Sequence, residues 1–245
     1  MEDEIERAVQ RVIENMKQNL SEPLTIDDMA RTAMFSKFHF SRIFRRVTGL
    51  SPGRFLSAMR LQKAKELLLA TSLNVVDISY QVGYNSVGTF SSRFTRSVGL
   101  SPTAYRQVRG ISPEAFTEPR PEDSKPAASV QGVIRAPQTD HRVGRVLVGL
   151  FPDRFATAQP VRCVVLNGPG QFVMDDVPRG TWHLIAVCVA IPASAPDTKT
   201  LHVLRHGPIE IQSDSAVALP GLQLRSSRSL DPPVLVPMPD DSDAA

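Results

Sequence analysis

Phe40-Ser41-Arg42-Ile43-Phe44-Arg45-Arg46-Val47-Thr48-Gly49-Leu50-Ser51-Pro52 returns fifty residues later as Phe90-Ser91-Ser92-Arg93-Phe94-Thr95-Arg96-Ser97-Val98-Gly99-Leu100-Ser101-Pro102. The identities fall on the aromatic positions and on the Gly-Leu-Ser-Pro stop, so one helical unit occurs twice. Setting Phe40 at zero and advancing about 100° per residue brings Phe44 and Val47 to the same, inward side. The opposite face then carries Phe38, His39, Arg42, Arg45 and Arg46, with Lys37 and Ser41 at the helix start and edge. In the second copy Phe90, Phe94 and Val98 point inward. Gly88, Thr89, Ser92, Thr95 and Arg96 point out, with Arg93 on the edge. From Arg31 to Arg109 there are 13 Lys and Arg but only two acids, Glu66 and Asp77. A duplicated, strongly basic helical unit suits a polyanion, which makes DNA the first candidate.

Outward from the repeat, the chain divides. Residues 5–20 place Ile5, Val9, Val12, Ile13, Met16 and Leu20 on one face at helical spacing, which predicts an amphipathic lead helix. Thr25 followed by Asp28 reads as an N-cap with an acid in the first turn. Ser36 opens the next helix and Gly49 closes it. Ser51-Pro52 restarts the chain into a helix over 53–70, in which Lys63 and Lys65 read as part of a solvated face. The pattern then repeats, giving helix pairs over 26–48 and 75–98 inside a domain of residues 1–110. Residues 111–129 hold Pro113, Pro119, Pro121 and Pro126 among charged and small residues, the composition of a linker. From 130 to 236 short β-branched runs alternate with turn residues, as in an all-β sandwich, and residues 237–245 read as a disordered tail. The expected fold class is therefore multidomain, an all-α double helix-turn-helix domain followed by an all-β sandwich domain.

Residues 5–109 closely resemble the DNA-binding domain of the arabinose-operon regulator (AraC/XylS) family of bacterial transcription factors. The resemblance rests on Asp28-Met29-Ala30, Ser36, Phe40-Ser41-Arg42-Ile43-Phe44, Gly49, Arg60, Ala64, Leu67, Asp77-Ile78-Ser79, Gly83-Tyr84, Phe90-Ser91, Phe94, Gly99-Leu100-Ser101-Pro102 and Tyr105-Arg106. It implies a linker helix holding two units so that both reading helices enter successive major grooves of double-stranded DNA. It also implies that Phe38, Ser41 and Arg42 read or touch DNA in the first unit, and Gly88, Thr89 and Ser92 in the second. Two departures stand out. Met34-Phe35 replaces the usual glycine and small apolar residue of the first turn, and Ser92 stands where arginine is usual, with Arg93 one place later.

By chemistry, Arg42 suits either guanine or phosphate, because a bidentate fork fits both. Arg45, Arg46 and Arg93 suit phosphates, His39 either a base or a structural role, and Phe38 a thymine methyl or sugar. Residues 143–236 resemble, more weakly, the prealbumin-like or carboxypeptidase-regulatory β-sandwich, through Phe172, Val177-Pro178-Arg179-Gly180-Thr181-Trp182 and Leu184-Ile185-Ala186. There Trp182, Leu184, Ala186, Cys188 and Ala190 alternate onto one strand face.

Charge separates the halves: residues 1–110 carry 16 Lys and Arg against 10 acids, residues 111–245 carry 12 against 15. Cys163 and Cys188 sit in apolar runs and read as buried thiols. No triad spacing, phosphate loop or metal-ligand spacing occurs, so no catalytic, cofactor or metal site is expected. No apolar run is long enough for a bilayer and the start is acidic, so a cytoplasmic protein without a membrane partner is expected. RNA polymerase, and an effector or protein partner at the C-terminal domain, are the further partners left open. The competing reading is a DNA-binding interaction or architectural module without an effector.

Overall fold

A computed structural model describes residues 2–110, 128–136, 141–155, 159–192, 200–212 and 215–235. The expected tail, and the expected linker up to residue 127, lie outside them. The chain forms two compact units. Among the described residues, the first comprises 2–109 together with Arg228–Leu235, and the second takes those between Gly110 and Ser227.

The first unit is helical: α1 (Glu2–Gln18), α2 (Ile26–Ala33), α3 (Lys37–Thr48), α4 (Pro52–Ala70), α5 (Val75–Gln81), α6 (Val87–Val98) and α7 (Pro102–Gln107). Local chemistry sets the boundaries. Thr25 and Asp28 make a reciprocal capping box: the Asp28 N–H donates to Thr25 Oγ1 and the Thr25 N–H to the Asp28 carboxylate. Those bonds from Thr25, with Arg31 alongside, hold the Asp28 carboxyl below the usual carboxylate range. Ser36, Asn74, Ser86 and Ser101 each accept from the backbone N–H three residues on, satisfying donors that a helix start leaves unpaired. Gly49 and Gly99 stop α3 and α6 in the left-handed region. The first turn stays tight despite lacking glycine, because Met34 itself takes φ 62° and its N–H reaches the Ala30 and Arg31 carbonyls. Its side chain is 85% exposed, so the strained backbone carries no further cost from packing.

Helix α7 was not expected, yet it follows from the repeat: Ser101-Pro102 restarts the chain as Ser51-Pro52 does. Helix α4 is buried on several sides, with Phe55, Leu56, Ala58, Met59, Leu61, Ala64 and Leu68 all enclosed. Lys65, read from sequence as solvated, is only 5% exposed. Its Nζ donates to the Leu235 carbonyl at 3.0 Å. Residues 228–235, expected within the C-terminal domain, thus group with the helices.

The second unit is β-rich. Strands β1 (Ala128–Arg135), β4 (Gln171–Val177) and β7 (Ala216–Gln223) form one sheet in the order β4-β1-β7, with β1 antiparallel to β4 and parallel to β7. The second sheet has the order β3-β2-β5-β6-β8, from β2 (His141–Phe151), β3 (Arg162–Leu166), β5 (Gly180–Pro192), β6 (Thr200–Ile211) and β8 (Arg225–Ser226), all antiparallel. One buried cluster draws on both sheets: Val130, Ile134, Phe172 and Met174 from the first, Val146, Val148, Leu184, Ala186 and Cys188 from the second. Leu184, Ala186 and Cys188 share the face expected of them. Ile185 and Val187, on the other face of β5, are also buried. Strand β1 begins inside the expected linker, and β6 runs unbroken through Gly207-Pro208, where turn residues predict two strands.

Candidate nucleic-acid interface

Two phenylalanine ladders orient the outward faces of α3 and α6. Phe40 packs on Phe44 at 5.5 Å between ring centroids, and Phe44 on Phe55 of α4 at 5.4 Å. In the second copy Tyr84, Phe90, Phe94 and Tyr105 form the equivalent run at 5.4, 5.7 and 5.6 Å. With those rings fully enclosed, the opposite face of each helix is turned to solvent. Ile43 is buried as well, a position not expected to point inward, while Val47 is only half-buried.

On α3, Lys37, Phe38, His39, Arg42, Arg45 and Arg46 are all exposed. Phe38 is 86% exposed, an extreme for a phenyl ring in a well-packed unit. His39 stacks on Phe35 at 5.1 Å, so part of its ring is committed to the turn. Lys37 makes an ion pair with Asp27 at 3.3 Å. The Ser41 hydroxyl donates to the Lys37 carbonyl on its own helix. On α6, Gly88, Thr89, Ser92, Arg93 and Arg96 are exposed. A Cβ on Gly88 would meet only Ser86 Oγ, at 3.8 Å, so the backbone there is open to close approach. Arg93 leans away from this face: its guanidinium lies 6.0 Å from the Tyr84 ring centroid, with Nη1 3.5 Å from Ser57 Oγ of α4. Its cation is thus held at the edge of the helix, towards α4.

Arg11 of α1 escaped the sequence reading, since it lies outside the basic stretch. A cavity of about 690 Å³ opens between α1 and α3, lined by Arg11, Arg42 and Arg46 together with buried Ala8 and Ile43. Three arginines from two helices thus line one cavity, which no spacing along one helix reveals.

Two further arginines act on the frame. Arg60 of α4 donates to the Leu20 and Glu22 carbonyls at 2.9 and 2.7 Å, pinning the loop that enters α2. Arg106 of α7 donates to the Leu68 and Leu73 carbonyls at 3.0 and 2.6 Å, pinning the loop that enters α5. Tyr84 Oη and Ser57 Oγ lie 3.2 Å apart, tying the second helix pair to α4.

Residues 29–108 match a family model described as "Helix-turn-helix domain". The chain is 34% identical over 88 residues to the HTH-type transcriptional activator AarP of Providencia stuartii, covering 36% of this chain and 65% of that protein. It is 31% identical over 110 residues to the lactose operon transcription activator of Staphylococcus xylosus, covering 45% and 39%. Residues 29–108 are a helix-turn-helix domain of the AraC type. The chain spans less than two thirds of the length of either relative. Among solved structures, the AraC-type domain is similar to the C-terminal domain of AraT, a response regulator from Geobacillus stearothermophilus, at 34% identity. That match covers 43% of this chain and 88% of the other, with a TM-score of 0.41.

Proposed function

We propose that the chain is a sequence-specific DNA-binding transcription regulator whose AraC-type domain inserts α3 and α6 into successive major grooves. The observation that carries this reading is the pair of solvent-facing helix faces, one cationic with an exposed phenyl ring and one built of small hydroxyl residues, each backed by its own aromatic ladder. The two relatives, both transcription activators, support it. Lys37, Phe38, His39, Ser41, Arg42, Arg45 and Arg46 serve the first groove, with Arg11 as an added phosphate contact. Gly88, Thr89, Ser92, Arg93 and Arg96 serve the second.

The β-rich unit is read as a sandwich that senses a ligand or docks a protein, RNA polymerase among the candidates, and not as an enzyme. Among the described residues no helix is long and apolar enough to cross a membrane.

The test is a titration of the full chain on duplexes selected from a random library, repeated across salt concentrations. With roughly six to eight cations on phosphates, log K falls with log salt at a slope of about −5 to −7. No enrichment of any sequence, or a slope shallower than about −2, contradicts the reading.

A further inference from the structure

Residues 228–235 come after the last strand, yet they belong to the helical unit. Their course is defined. The Arg228 N–H donates to the Asp231 carboxylate at 2.7 Å and the Asp231 N–H to the Arg228 carbonyl at 2.9 Å, closing a turn. Beyond it Pro232, Val234 and Leu235 are buried, Leu235 to 1% exposure. The Leu235 carbonyl accepts from Lys65 Nζ, whose near neighbour Gln62 Oε1 lies at 3.5 Å.

Burying a lysine is costly unless its donors are met. A strap carbonyl from 170 residues away meets one of them. Lys65 stands in the middle of α4, between Phe55 and Ser57, which hold the two helix pairs at its start, and the Leu68 carbonyl, which Arg106 holds near its end.

We propose that residues 228–235 are a strap of the DNA-reading unit, seated on α4 through Lys65, and that its seating sets the relative placement of the two reading helices. This rests on the reading of α3 and α6 given above. One peptide bond separates the strap from a residue fixed in the β-rich unit: the Ser227 N–H donates to the Leu201 carbonyl of β6, and Arg228 opens the strap. A ligand or partner that moves the end of β6 therefore pulls directly on the strap. The strap is a covalent route from the C-terminal unit to DNA affinity, needing no contact with DNA. Because it works on spacing, its loss penalises binding that engages both helices at once and spares binding by one.

Two measurements on the full chain test it. In the first, intact protein is treated with an amine-acylating reagent and the products are mapped. Lys63, on the same helix with its side chain 48% exposed, is the internal control. A seated strap leaves Lys65 unmodified while Lys63 reacts, and equal reaction of both overturns the proposal without recourse to any variant. In the second, the Val234→Ser, Leu235→Ser double variant is titrated on a selected duplex and on the same duplex with one groove segment scrambled. The proposal predicts a loss of about tenfold on the first and less than twofold on the second. Unchanged affinity on the two-groove duplex overturns it, as does an equal loss on both. Wild-type protein that selects no sequence at all instead sinks the DNA-reading function on which the strap depends.

Discussion

Tyr105 stands edge-on to Phe94, with 5.6 Å between ring centroids, in the place that Phe55 takes against Phe44 at 5.4 Å fifty residues earlier. Each reading helix is thus wedged by an aromatic residue from the helix that follows its Gly-Leu-Ser-Pro stop. Burial also pushes the Tyr105 hydroxyl up to about 12, as expected of a phenol shut away from water. Phe94→Ala removes a fully buried ring touched on two sides and costs about 3–5 kcal/mol. Phe44→Ala costs a similar amount. Denaturant unfolding of the full chain, followed by helical circular dichroism, measures both, and a loss below about 1 kcal/mol for either contradicts the ladder as the source of cohesion.

Gly83 and Gly88 separate structure from recognition. Gly83 lies at φ +84°, and a Cβ there would collide with the Leu20 carbonyl and lie 2.7 Å from the Arg60 guanidinium carbon. Gly83→Ala destabilises by more than about 1 kcal/mol, since alanine disfavours that conformation even in open space. Gly88→Ala is expected to fold as the wild type does and to change the sequences selected by the second helix. Unfolding curves and selection profiles for the two variants check this, and an unaltered profile for Gly88→Ala removes the close backbone approach.

Arg42 and Arg46 lie on the same exposed face, one turn apart. Arg42→Ala loses about 1–3 kcal/mol at one base position if its fork reads guanine. Arg46→Ala, like Arg11→Ala, weakens all sequences alike and makes the salt slope shallower by about one. A uniform loss for Arg42→Ala reassigns that arginine to phosphate.

Burial pulls the Lys65 ammonium down from 10.5 to about 7, with nearby Glu66 opposing the fall. Between those values the unfolded chain holds a proton that the folded chain has released. Stability of the helical unit therefore rises as pH climbs from about 7 towards 10.5, and the contribution is absent below pH 7. Tyr105 and Cys163, both raised by burial, act in the opposite sense only above about pH 9 to 10. Unfolding midpoints at pH 7.0 and 8.5 isolate the lysine: the wild type gains stability, and Lys65→Met shows no such rise. Parallel pH dependence in the two proteins contradicts a buried, titrating Lys65.

Much of the helical unit was legible because its signals are local: caps at Thr25, Ser36, Asn74 and Ser86, stops at Gly49 and Gly99, and phenylalanines at helical spacing. Helix α7 lay within reach of the same repeat, since Ser101-Pro102 mirrors Ser51-Pro52. Lys65 was not legible. Its periodicity matches a solvated face, and the carbonyl it donates to lies 170 residues away. Arg11 was missed for the related reason that its companions sit on another helix. In the β-rich unit, the start of β1 at Ala128 and Ser129 was hidden at the end of the proline-rich stretch. Strand β6 was split by Gly207-Pro208, whose turn preference is overridden by pairing with β5 on both sides of it. Of the expected interface, the exposure of every named residue but Ser41, which is half-buried, follows from the helix face. The withdrawal of Arg93 onto Tyr84 and Ser57 needed the neighbouring helix to be placed.

On the proposed function, one chain reads two successive grooves with two unlike helices. Hydroxyl-radical footprinting of the monomer on its selected duplex tests it most directly. The prediction is two protected segments on one face of the DNA, their centres about 34 Å apart, with Arg42→Ala weakening the first and the Thr89→Ala, Ser92→Ala double variant the second. A single protected segment per monomer contradicts it.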